Sequence, residues 1–118
     1  MELWGKEYGF LLSVGAEQEI ARLCPEGDLR RLGELLRGRT ADTIGLSTEI
    51  VCILSRWHEK ARRFREPDYK ETPLTRELIL MLPVEEFARV QNEALRAMLA
   101  DRTASVEAEA EKKGVAPK

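Results

Sequence analysis

The chain has few of the residues that build catalytic or metal centres. It contains two cysteines, Cys24 and Cys52, and one histidine, His58, and it has no Cys-x-x-C pair, nucleophile elbow or glycine-rich phosphate loop. On a helix, the six-residue step from Cys52 to His58 turns their side chains about 120° apart, so they cannot share a metal ion. We therefore expect free thiols, no cofactor, no metal and no catalytic residue, which means a protein that is not an enzyme.

Long apolar runs and an excess of one charge are also missing. No stretch approaches the roughly 18 to 20 apolar residues that span a bilayer, and the first residues lack the basic and apolar regions of a signal peptide. The formal net charge is −2, so no polybasic arm for nucleic acid is apparent. These features predict a cytoplasmic protein without membrane contact.

One amphipathic helix dominates what is present. We predict it over about residues 40–65, starting at Thr40 or, as the alternative, nearer Ser47. Its apolar residues recur at steps of three and four, which keeps them on one helical face and predicts a core that includes Trp57 and Phe64. This stripe comprises Leu46, Ile50, Ile53, Leu54, Trp57, Ala61 and Phe64.

Shorter segments flank this helix. Proline, glycine and capping residues predict further helices over about 16–24, 28–37, 76–81 and from Pro83 to about 101. Alternating apolar residues predict a strand over about 8–14, and a first strand near Leu3 and Trp4 would make it a hairpin. The expected fold is mainly α, a compact bundle of about five helices around the long one, with a short N-terminal strand or hairpin.

The domain organisation follows from the same patterns. A chain of 118 residues with 43% apolar residues is the size of one domain, which we place at residues 1–102. Beyond Asp101 alanine, glutamate and lysine dominate, so we expect residues 103–118 to form a flexible charged tail that starts as a frayed helix extension.

Two groups of residues are candidates for partner binding. Arg56, Lys60 and Arg63 form a basic stripe on the long helix, and Leu78, Ile79 and Leu82 form a dense apolar group. The basic stripe has three open interpretations: a solvated face balanced by nearby carboxylates such as Glu59, a contact for an acidic partner, or a phosphate-tracking face. Nucleic acid is the least favoured of these.

Several short stretches, spread over residues 8 to about 100, resemble the small tail assembly chaperones of long-tailed bacteriophages and prophages. None of them is a chemical motif, so no binding residues can be carried over from that family. They are Tyr8-Gly9-Phe10 with Val14-Gly15, Glu19-Ile20 through Cys24-Pro25-Glu26-Gly27-Asp28, Ile53-Leu54-Ser55, Pro67-Asp68-Tyr69, and Pro73-Leu74-Thr75 through Leu82-Pro83.

This resemblance implies a small, helical, non-enzymatic protein. Such chaperones are encoded just before the tape measure protein, which they are thought to coat and bring together with the tail tube protein. The implied partners are therefore these two proteins, bound through apolar helix grooves, with self-association left open. The alternative function is a small helical DNA-binding regulator that uses the basic end of the long helix.

Overall fold

The computed structural model describes residues 1–24 and 39–112, with side chains for 1–24 and 39–99. Within these ranges the protein is mainly helical, as predicted, with one short antiparallel sheet at the N-terminus. The helix predicted over about 28–37 lies outside the described residues. The elements are β1 (Glu2–Leu3), β2 (Lys6–Glu7), α1 (Val14–Leu23), α2 (Ala41–Arg65), α3 (Arg76–Leu80) and α4 (Val84–Lys112).

The predicted N-terminal hairpin is present, but its second strand is not where the alternation placed it. β1 pairs with β2 so that Leu3 lies opposite Lys6, and the turn residues Trp4 and Gly5 have φ of 53° and 75°. The strand predicted over 8–14 is wrong, because residues 8–13 pair with no strand in the described part of the chain and Val14 already begins α1. Its residues instead cross α2, where the Leu11 amide donates to the Leu54 carbonyl at 3.1 Å.

Hydroxyl side chains determine where three of the helices begin. Ser13 Oγ accepts a hydrogen bond from the Ala16 amide at 3.1 Å and caps α1, and Thr75 caps α3 in the same way. At the start of α2, Thr40 and Thr43 each accept from the other's backbone amide, at 3.1 and 2.9 Å. The long helix therefore begins after Thr40, and the alternative start near Ser47 is wrong.

The core forms where α2 contacts the other elements. Ile50, Val51 and Leu54 of α2 are fully buried, and Phe87 and other residues of α4 pack against them. The buried apolar residues are Leu3, Tyr8, Ala16, Ile20, Cys24, Ile50, Val51, Ile53, Leu54, Leu74, Ile79, Phe87, Val90, Ala94 and Met98.

The last part of the predicted α2 stripe is not in this core. Phe64 is 89% exposed, which contradicts its predicted burial, because no described element packs on this turn of α2. Trp57, also expected in the core, is only partly buried and packs against its edge. The apolar period therefore continues further along α2 than the core does.

Buried polar side chains join α2 to the segments that follow it. Ser55 Oγ accepts a hydrogen bond from the Leu74 amide at 2.9 Å, which holds the connector between α2 and α3 against the long helix. Gln91 of α4 donates to Ser47 Oγ at 3.0 Å. These bonds fix the positions of the connector and α4 along α2, while the apolar residues supply most of the burial.

Helix α4 begins directly after Pro83, as the sequence predicted, and the Phe87 amide donates to the Pro83 carbonyl at 3.0 Å. It continues to Lys112, past the residue where the flexible tail was expected to begin. The boundary at 102 and the flexibility of 103–118 therefore stay predictions.

Helix α1 packs closely on α2 through a glycine. A Cβ at Gly15 would lie 2.5 Å from two atoms of the Trp57 ring, and that ring is held in place by a hydrogen bond from its Nε1 to Glu19. A Cβ at Gly45, near the start of α2, would meet nothing within 4 Å. An added methyl group would therefore clash at Gly15 but not at Gly45.

Replacing Gly15 by alanine is expected to lower the free energy of unfolding by about 1 to 3 kcal/mol, because the new methyl group overpacks the contact with Trp57. Replacing Gly45 by alanine is the matched control. It should raise the free energy of unfolding by about 0.5 to 1 kcal/mol, since the helix gains a better helix former without a clash. Urea melts that show the same sign for both variants would contradict the α1–α2 contact.

Candidate partner-binding surface

The predicted basic stripe is on the surface, and carboxylates or an aromatic ring accompany each of its members. Arg56 is half-exposed and forms an ion pair with Glu19 of α1. Arg63 forms one with Glu71 of the connector at 3.1 Å. The Lys60 ammonium group lies 5.3 Å from the centre of the Trp57 ring. Two of the three charges are thus already paired within the chain.

Glu19 shows the electrostatic effect of this pairing. The hydrogen bond from Arg56 is the largest influence and, with that from Trp57 and the charge of Lys60, it outweighs the opposing effect of burial. The pKa of Glu19 is therefore lowered below its ordinary value, and the carboxylate stays ionised beside Arg56 at neutral pH. This carboxylate competes with any external anion for the same guanidinium group.

Glu59 was expected to balance this stripe, but it is directed inward. The side chain is almost fully buried, and its Oε1 accepts hydrogen bonds from the Tyr69 hydroxyl at 2.6 Å and the Thr72 amide at 2.8 Å. Lys6 of the hairpin donates to the Thr72 carbonyl at 2.8 Å. Glu59 therefore holds the connector on α2, and the surface carboxylates that pair with the stripe are others.

The predicted apolar group is mostly part of the core. Ile79 is 1% exposed, and Leu78 and Leu82 are partly buried against the core. The residues between them point outward instead, with Leu80 56% and Met81 59% exposed. The side chains that this segment leaves exposed for a partner are therefore Leu80 and Met81, which were not among the predicted residues.

Trp4, at the hairpin turn, lies beside α3. Its indole Nε1 donates to the Leu78 carbonyl at 3.1 Å. This carbonyl lacks its usual helical partner, because the Leu82 amide donates to the Ile79 carbonyl instead. Although it makes this bond, Trp4 is 53% exposed and has a positive φ, which is uncommon for a residue with a large side chain. The hairpin thus places an exposed indole at the C-terminal end of α3.

We call the exposed apolar residues of the hairpin turn, the end of α3 and the start of α4 the hairpin–α3 patch. It consists of Trp4, Leu80, Met81 and Val84, and Val84 at the start of α4 is 72% exposed. The sequence indicates most of this patch, since residues 78–84 are apolar at every position if proline is counted. A helix as short as α3 buries one face only, so such a run has to expose some of its members.

The stripe and the patch are at separate places on the molecule. Helix α3 contacts the first half of α2, where Arg76 pairs with Glu49 at 2.6 Å. Arg56, Lys60 and Arg63 of the stripe lie roughly two to four turns further along α2 from Glu49, and Phe64 follows Arg63. The structure therefore does not bring the two predicted groups together into one site.

The cysteine and the histidine on α2 both take part in packing. Burial, with a smaller effect from Glu49, raises the pKa of the Cys52 thiol to about 11. A thiol that is protonated at neutral pH is a poor nucleophile. The His58 ring packs against Gly9, where a Cβ would lie 2.3 Å from its Nε2, and its Nδ1 is 3.6 Å from the Glu59 carboxylate. Both side chains have evident roles in packing.

No protein-family model, curated protein or solved structure matches the chain. Among the described side chains, no group of three or more histidine, cysteine, aspartate or glutamate residues is arranged to hold a metal ion. Within the described helices, none has an apolar stretch long enough to cross a membrane.

Proposed function

We propose that this chain is a non-enzymatic assembly chaperone that binds the phage tape measure and tail tube proteins during tail morphogenesis in the bacterial cytoplasm. The observation that carries the proposal is the hairpin–α3 patch, which leaves four large apolar side chains more than half exposed. Large apolar side chains that are exposed in one part of a fold are typical of protein-binding sites. The resemblance to tail assembly chaperones supplies the identity of the partners.

The shape of the patch suits a helical client. Leu80, Met81 and Val84 lie between the end of α3 and the start of α4, and the indole of Trp4 donates to the Leu78 carbonyl of α3. An amphipathic helix can lay its apolar stripe across such a surface, so that both partners remove apolar area from water. Shielding the many amphipathic segments of a very long tape measure chain in this way would keep it from aggregating until tube protein replaces the chaperone.

The alternative function is a small DNA-binding regulator that uses the basic end of α2. Phe64 and Arg65 favour this alternative, since both are exposed and no carboxylate pairs with Arg65 among the described residues. The ion pairs of Arg56 and Arg63 count against it, because each must be broken or shared before a phosphate is bound. We therefore favour the chaperone.

Co-expression with the tape measure protein of the same genome tests the proposal. The wild-type chain is expected to keep a tape measure fragment in the soluble fraction and to co-purify with it. The double variant Leu80→Ser/Met81→Ser should lose this ability, because two apolar anchors become polar. Phe64→Ser is the matched control, since it removes an even more exposed apolar residue, which lies near the other end of α2.

Two results would contradict the proposal. One is a genome with no long tape measure reading frame beside this gene. The other is a tape measure fragment that stays insoluble with the wild-type chain, or that is rescued equally by the wild type and the double variant. Binding to DNA at physiological salt that is lost on replacing Arg56, Lys60 and Arg63 by glutamine would favour the regulator instead.

A further inference from the structure

Three carboxylates lie close in sequence to residues of the hairpin–α3 patch. Glu77 is one helical turn before Met81, Glu85 directly follows Val84, and Glu2 of β1 is two residues before the turn residue Trp4. All three are exposed, and within the described part of the chain none of them forms an ion pair. We call these three residues the acidic rim.

The cations nearest to this rim already have partners. Arg76 forms an ion pair with Glu49 at 2.6 Å, and Arg89 forms one with Glu86 at 2.7 Å. The Lys6 ammonium group donates to the Thr72 carbonyl and lies 5.0 Å from the centre of the Tyr8 ring. None of these cations forms an ion pair with Glu2, Glu77 or Glu85, so the rim has three unpaired carboxylates in the described part of the chain.

We propose that the patch takes an amphipathic helix of another protein whose apolar stripe is flanked by lysine or arginine. The apolar stripe covers the four side chains of the patch, and the flanking cations meet the acidic rim. Complementary charge of this kind speeds association and discriminates between partners more than it adds affinity. This inference rests on the proposed function, because it adds a positive charge to the client helix proposed there.

The rim also argues against a second copy of this chain as the occupant. In a two-fold symmetric contact the same surface meets itself, so the rim of one copy would face the rim of the other. Like charges placed opposite each other are unfavourable, particularly where apolar contact excludes water. A partner of opposite charge avoids this repulsion.

Three synthetic 18-residue peptides test the inference directly. They share one leucine stripe at helical spacing and differ only in the flanking residues, which are lysine, glutamine or glutamate. With fluorescently labelled peptides and the full-length protein at 0.15 M salt, the lysine peptide is expected to bind with a Kd about tenfold or more below that of the glutamine peptide. The glutamate peptide should bind more weakly than both.

Variants of the protein separate the contributions of the rim and the patch. Glu77→Gln/Glu85→Gln removes two of the three rim carboxylates, so it should remove most of the preference for lysine over glutamine and leave the Kd of the glutamine peptide unchanged. Glu66→Gln/Asp68→Asn is the matched control, since it removes two exposed carboxylates from the start of the connector. The control should keep the preference. Leu80→Ser/Met81→Ser should weaken the binding of all three peptides.

Several outcomes would overturn the inference. These are equal Kd values for the lysine and glutamine peptides, no binding of the lysine peptide, or the same loss of preference in the rim variant and its matched control. Lysine-peptide binding that survives Leu80→Ser/Met81→Ser would likewise show general attraction to an acidic surface. None of these results touches the co-expression test, so the proposed function can stand or fall separately.

Discussion

Replacing Leu54 by alanine is expected to lower the free energy of unfolding by about 2 to 5 kcal/mol, because the substitution removes three carbon atoms from a fully buried side chain and leaves a cavity. Replacing Phe64 by alanine is the matched control from the same helix. Although phenylalanine is larger, its side chain is 89% exposed, so we expect a change within about 0.5 kcal/mol. Urea melts of the wild type and both variants, analysed with one shared m value, measure the change in the free energy of unfolding.

The two substitutions distinguish the structure from the helical period alone. A helical wheel places Leu54 and Phe64 on one face and would give both large effects. A loss above about 2 kcal/mol for Phe64→Ala, or below about 1 kcal/mol for Leu54→Ala, would mean that α2 is buried along a different part of its length.

This pair also shows how far the sequence could predict the fold. The period of α2 correctly indicated a long amphipathic helix, and Thr40 correctly indicated its start. A period gives the direction of a side chain but not the extent of the neighbours that cover it. The chain leaves α2 at Arg65, so the last turn lacks a covering element among the described residues and Phe64 stays in water.

The N-terminal segment failed as a prediction for a different reason. Alternation of Phe10, Leu12 and Val14 is typical of a strand with one buried face. An extended segment that crosses a helix buries alternate side chains as well, and only a partner strand distinguishes the two. The structure has the crossing segment, with Phe10 and Leu12 packed against the core and Val14 89% exposed at the start of α1.

The hairpin–α3 patch was partly predictable. The sequence predicted Leu78, Ile79 and Leu82 as an apolar group for partner binding, but the exposed apolar residues of the run 78–84 are Leu80, Met81 and Val84. Which of its members face outward depends on the five-residue length of α3 and on the turn before Pro83. The contribution of Trp4 depends on a contact between residues 74 positions apart, which no local pattern indicates.

Replacing Glu59 by alanine is expected to lower the free energy of unfolding by about 2 to 4 kcal/mol, because it leaves the Tyr69 hydroxyl and the Thr72 amide without their acceptor. The control is Glu49→Ala, which removes an exposed carboxylate that pairs with Arg76. Surface pairs of that kind contribute about 0 to 1 kcal/mol. Equal losses in the two variants would contradict the role of Glu59 in holding the connector.

Glu59 also gives the stability a pH dependence with a defined sign. Burial raises the pKa of this carboxyl, but hydrogen bonds from Tyr69 and Thr72, the charge of Lys6 and the proximity of His58 together outweigh it, so the pKa is lowered from its ordinary value of 4.5. A lowered pKa means that the folded state binds the proton less readily than the unfolded chain does. The stabilisation is therefore complete above pH 4.5 and is lost as the pH falls through the lower pKa of the folded state.

The variant Glu59→Gln should remove this dependence, because an amide keeps an acceptor for Tyr69 but does not titrate. We expect the wild type to be more stable than Glu59→Gln at pH 7, and the difference between them to shrink as the pH falls below 4.5. Urea melts at pH 7, 5, 4 and 3 measure it, and subtracting the variant cancels the other carboxylates, including Glu19, which titrate in both proteins. A difference that stays constant from pH 7 to pH 3 would show that the ionised form of Glu59 does not stabilise the connector.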